Sequence, residues 1–132
     1  MTTAFRAVPK TAKKGGSNLD ETAAPQLVVR YLLDEVKLTQ RELADAVGAG
    51  DRAVRRWAKE DGVPQARFQP AIDDLRDLGN ILGESLPGIQ TGRWLRARNR
   101  YLKGERPLDA LKAGKFSRVR EAAEAYVEGA VL

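Results

Sequence analysis

Along this chain hydrophobic positions recur every three or four residues in a succession of short stretches, and no alternating polar–apolar run of useful length occurs anywhere. Such spacing gathers apolar side chains on one face of a helix, whereas a half-buried strand needs a period of two, so the predicted fold class is all-α. The first stretch opens at Pro25, whose fixed φ suits a first helical turn, and continues through Leu27, Val28, Tyr31, Leu32, Glu35 and Val36. Thr39 and Glu42 then stand three apart, the Thr-x-x-Glu capping box that satisfies orphan amides at a helix start, with Leu43, Ala44 and Val47 as the face to be buried. Gly48 follows where the chain must reverse with a positive φ, and the small Ala44 lets the next helix cross closely. That helix starts at Gly50 or Asp51. Its apolar face is Ala53, Val54 and Trp57; its other face is Arg52, Arg55, Arg56 and Lys59.

Gly62-Val63-Pro64 ends this segment, and a helix of about 16 residues follows with a nearly continuous apolar stripe: Phe68, Ala71, Ile72, Leu75, Leu78, Ile81 and Leu82. Its outer face is acidic through Asp73, Asp74, Asp77 and Glu84. A stripe this long either joins two halves of the chain or packs against a second copy. Leu86-Pro87-Gly88 marks a boundary. Beyond it helices are predicted over about 91–102, 107–113 and 116–128, separated by Lys103-Gly104-Glu105-Arg106 and Gly114. Three segments result: a basic, disordered arm over 1–22, a helical unit over 23–85 and a second over 86–132.

Composition narrows the function classes. The 132 residues, 42% hydrophobic, suffice for one domain or two very small ones sharing a core. Neither cysteine nor histidine occurs, which removes disulfides, thiolate metal sites, the common general base and the usual zinc ligands. No enzyme, metal or cofactor is expected. No apolar run approaches the roughly 20 residues of a membrane span, and no secretory signal is present, so a cytoplasmic protein is expected. The net charge of +5 is segregated: residues 61–87 carry −3 and residues 88–132 carry +5. Different segments therefore face different partners.

The most telling segment is Leu38-Thr39-Gln40-Arg41-Glu42-Leu43-Ala44, the turn at Gly48, and Asp51 to Trp57. Two acceptors on the guanine edge match a bidentate arginine in the major groove, and Arg52, Arg55 and Arg56 supply such donors at helical spacing. Gln40, in the first turn of the preceding helix, can meet a phosphate or the adjoining base. Asp51 either caps its helix or accepts from a cytosine amino group. Trp57 shares the face of Ala53 and Val54 and belongs to the core. The segment resembles the Xre or Cro-repressor type of helix-turn-helix, with Gly50 where that family often has Ser or Thr and Ala58 where it often has Glu. What this implies is a reader of operator DNA, expected to be a homodimer on an inverted repeat.

A second pattern lies beyond the boundary: Trp94-Leu95, Asn99, then Leu102-x-Gly104-x-x-Pro107-Leu108, and a Gly129 near the chain end. These residues resemble the toxin-binding domain of the Xre/MbcA/ParS antitoxins, and the two patterns occur in that family's order. The resemblance implies an antitoxin for a RES-domain toxin, a NAD-degrading protein similar to ADP-ribosyltransferases, neutralised at or near its NAD pocket. It also implies repression of the shared operon. Arg93, Arg96, Arg100 and Lys103 recur at helical spacing and can pair with an acidic toxin surface, although a solvated face or a DNA flank fits them equally. Gly129, Ala130, Val131 and Leu132, a flexible hinge and an apolar tip, are the candidate insertion towards the toxin pocket. The alternative is a free-standing Xre-family repressor whose C-terminal helices only dimerise it.

Overall fold

The computed structural model describes residues 24–59 and 62–131, the side chains of 130 and 131 excepted. The basic arm expected over 1–22, and Leu132, lie outside the described residues. Among those described, every regular element is helical. None is long and apolar enough to cross a membrane.

Helix α1 (Pro25–Arg30) begins with proline in its first turn and runs on into a wider π turn, Tyr31–Glu35. Val28, Val29, Tyr31, Leu32 and Val36 are buried, while Leu27, expected inside, is 42% exposed. Val29, which the sequence period left out, takes the inward position in its place. Helix α2 (Gln40–Val47) starts with the capping box closed in both directions: the Glu42 amide donates to Thr39 Oγ1 at 3.0 Å and the Thr39 amide to Glu42 Oε1 at 2.9 Å. Gly48 ends it at φ 77°, a conformation that an added Cβ would strain. Helix α3 (Asp51–Trp57) is capped by extended Gly50 and has no side-chain cap bond. Asp51 is thus the first helical residue and not the cap; its carboxylate accepts from Arg41 on α2 at 3.1 Å.

A short 3₁₀ turn, Ala66–Phe68, leads into α4 (Gln69–Gly83). The α4 stripe is used inside the chain: Ile72, Leu75, Leu78 and Leu82 are buried, with α1, α5 (Gly88–Arg96) and α7 (Phe116–Val131) packed around the helix. Between α5 and α7 come a 3₁₀ turn, Arg100–Leu102, and α6 (Pro107–Lys112), which lies against α2. The result is one hydrophobic core, from Val28 to Ala123, shared by both sides of the Leu86-Pro87-Gly88 boundary. Trp57 lies in that core, edge-on to Phe68 at 5.3 Å.

Two sequence expectations are corrected in the C-terminal half. The helix expected over 91–102 stops at Arg96, and Ala97 is extended at ψ 150°. Asn99 takes the backbone over: its side chain accepts from the Tyr101 amide at 2.9 Å, its amide donates to the Glu105 carbonyl and its carbonyl receives the Gly104 amide. A short polar side chain that bonds its own neighbourhood competes with helix. Gly129, expected to be a hinge, lies within α7, which continues to Val131. Glycine lowers helix stability by about 1 kcal/mol without forbidding it.

Candidate functional site

Helix α3 divides cleanly. Val54 and Trp57 face the core and Ala53 is half-buried, whereas Arg52, Arg55 and Arg56 are exposed and make no ion pair among the described residues. Three guanidiniums within two helical turns make a rigid, cationic surface, because the opposite face is fixed by packing. The helix is tied at both ends. Arg41 reaches across to Asp51 at its start, and Arg30 of α1 donates to the Ala58 carbonyl at its finish. Gln40 is exposed at the start of α2, beside the capping box. The five residues expected to touch DNA therefore belong to two joined helices and are all exposed.

The cations expected to meet a protein partner are less uniform. Arg93 is exposed on α5, and Arg100 and Lys103 are exposed on the turn beyond it. Lys103 is held at φ 58° and the Arg98 guanidinium donates to the Gly104 carbonyl at 3.2 Å. With α5 broken at Ala97, these residues do not form one helical row. Arg96 is turned inward instead. Its Nε donates to Glu42 Oε2 at 2.9 Å, one terminal nitrogen donates to Glu42 Oε1 at 2.8 Å, and the same nitrogen donates to the Lys37 carbonyl at 2.7 Å. The bidentate pair holds the Glu42 carboxyl below its ordinary pKa and raises the Arg96 guanidinium.

Several surface features had no clear signal in the sequence. Trp94 and Tyr126 pack edge-on at 6.3 Å, and with Ala97, Arg98, Arg100 and Tyr101 they line an open groove of about 420 Å³. Tyr101 and Tyr126 are both exposed. Arg118 donates to the Tyr101 carbonyl from α7. On the far side, Lys112 of α6 pairs with Asp45 of α2 at 3.8 Å. Asp74 lines the cavity beside that pair. Burial, with Asp77 and Asp73 nearby, raises its pKa.

No family model matches the chain. Over 95 residues it is 41% identical to the probable mycobacterial cidal antitoxin Rv3188 of Mycobacterium tuberculosis (strain ATCC 25618 / H37Rv), covering 72% of this chain and 81% of that protein. The chain belongs to the mycobacterial cidal antitoxin family. The mycobacterial cidal antitoxin MbcA of Mycobacterium bovis is 32% identical over 97 residues, 74% of this chain and 86% of its own length. The fold agrees: the crystal structure of the M. tuberculosis MbcT-MbcA toxin-antitoxin complex contains a chain that superposes with a TM-score of 0.65 at 30% identity. That superposition covers 82% of this antitoxin-family chain and 97% of the solved one.

Proposed function

We propose that this protein neutralises a cognate RES-domain, NAD-degrading toxin and represses the operon that encodes the pair by binding its operator as a homodimer. The observation that supports the DNA side best is the α3 surface, where Arg52, Arg55 and Arg56 are free of ion pairs among the described residues on a helix anchored by Val54 and Trp57. In this reading Gln40 adds a phosphate or base contact from α2, and the Arg41–Asp51 pair fixes the two helices as a helix-turn-helix. Asp51 accepts from Arg41 and serves geometry more than base reading.

The toxin side is supported by kinship, since MbcA is known in complex with MbcT. The partner surface is the basic C-terminal half, where exposed Arg93, Arg100 and Lys103 meet an acidic toxin surface while the segment Gly129 to Leu132 reaches the NAD pocket and excludes NAD by bulk. No chemistry is needed for such a block. The test is co-expression with the product of the neighbouring gene, followed by size-exclusion chromatography and an NAD-consumption assay. A stable complex with suppressed NAD loss is expected. A neighbouring product that neither co-elutes nor consumes NAD removes the toxin reading and leaves a free-standing repressor.

A further inference from the structure

The inward turn of Arg96 puts a residue of the C-terminal half in control of the helix that carries Gln40. Glu42 uses both carboxylate oxygens: Oε1 closes the capping box on the Thr39 amide and also accepts from Arg96, while Oε2 accepts from Arg96 Nε. The same guanidinium holds the Lys37 carbonyl, and Lys37 has φ 66°, a backbone conformation that a non-glycine residue adopts only when its surroundings hold it there. Arg96 thereby fixes both sides of the residue pair Leu38-Thr39 from which α2 departs. Its own helix packs directly on this segment: α5 lies so close that a Cβ on Gly92 would collide with the Val36 carbonyl oxygen, and one on Gly88 would stand 2.7 Å from that of Glu35. From α2 the Arg41–Asp51 pair carries the constraint to the first turn of α3.

The geometry points to Arg96 as a positioning residue for the DNA-reading surface: its fork on Glu42 and Lys37 sets where Gln40 and the start of α3 meet the duplex, and it touches neither DNA nor toxin itself. This rests on the DNA-reading proposal above and extends it to a residue outside the helix-turn-helix. Only a planar fork makes the three bonds together; a lysine ammonium keeps the charge and loses the bidentate geometry.

Two charge-informed substitutions separate the roles Arg96 can have. Binding of the full chain to a duplex from upstream of its own coding sequence is measured against a random duplex of equal length, across a salt series, for R96K, E42Q and the pair together. Positioning predicts that R96K and E42Q each weaken upstream-duplex binding roughly three- to tenfold, the scale of one misplaced side-chain contact. The double variant is then no weaker than either single one, binding to the random duplex is unchanged, and the salt slope is unchanged. In a Gln40→Ala background the R96K effect shrinks to less than half. E42Q keeps the capping box, since glutamine serves at that position, so it stays informative if R96K fails to fold.

If Arg96 instead contacts phosphate, R96K binds as the unchanged chain does and E42Q binds both duplexes more tightly. If it contacts toxin, R96K lowers affinity for the co-expressed neighbouring product and leaves DNA binding alone. Either pattern overturns the assignment, as does an R96K effect of full size in the Gln40→Ala background. An unchanged chain that shows no preference for the upstream duplex overturns the DNA-reading proposal itself, and the inference falls with it.

Discussion

Glu42 shows how much one side chain can bring together: it closes a helix start, pairs with Arg96 from 54 residues away and is held ionised by that pair. Its folded pKa lies below its ordinary 4.5, so the stabilisation is fully present above about 4.5 and is lost as pH falls through the folded value. Chemical denaturation between pH 3 and 6 should therefore show a shallower acid loss for Glu42→Gln than for the unchanged chain. Parallel curves would deny the pair a part in stability. Asp74 carries the opposite sign. Burial beside Asp77 and Asp73 raises its pKa above 3.8, so its ionisation weakens the fold as pH rises from 3.8 through the folded value. Asp74→Asn is expected to stabilise the fold at pH 7, a gain that shrinks towards pH 3 as both states come to bind the proton. Thermal melts at the two pH values check it. The Glu42–Arg96 pair was not legible in sequence, because nothing local marks a partner so far along the chain. Helical spacing groups Arg96 with Arg93, and spacing cannot tell an inward guanidinium from an outward one.

Among the elements, α2 and the turn after it were the most legible, since their signals are local: a threonine and glutamate three apart, and a glycine where φ reaches 77°. Thr39→Ala should cost about 1 kcal/mol of folding stability, measured by urea unfolding. A change within experimental error would mean that the cap is redundant. The boundary of α5 was not legible, because Arg98, Arg100 and Leu102 continue a helical pattern that Asn99 interrupts with backbone bonds at 2.8–3.1 Å. Gly129 misled in the other direction: glycine signals a hinge on average, but no positive φ or close contact requires one here and α7 simply passes through it. For α4 the stripe was clear and its destination was open. Only the packing of α1, α5 and α7 around it decides that the stripe is interior.

At the scale of the molecule, a helix pair proposed to read DNA and a half proposed to bind toxin share one core. Helix α2 rests on α6, α4 rests on α7, and the pairs Glu42–Arg96 and Asp45–Lys112 join the same two sides. Truncation after residue 87 would leave the buried faces of α2 and α4 open to water, so that fragment should lack a cooperative thermal transition. A sharp transition would show that the N-terminal half folds alone. The sequence divides at Leu86-Pro87-Gly88 by composition and charge, yet hydrophobic contacts ignore that division; the long α4 stripe offered a core joining the two halves as one of two readings, and the structure takes it. The two proposed functions can still be separated by surface. The most direct measurement is titration of the upstream duplex, with the neighbouring gene's product tested in parallel, using the chain with Arg52, Arg55 and Arg56 all replaced by alanine. The account predicts loss of sequence-preferring DNA binding with toxin neutralisation intact. Unaltered DNA binding by that variant would contradict it.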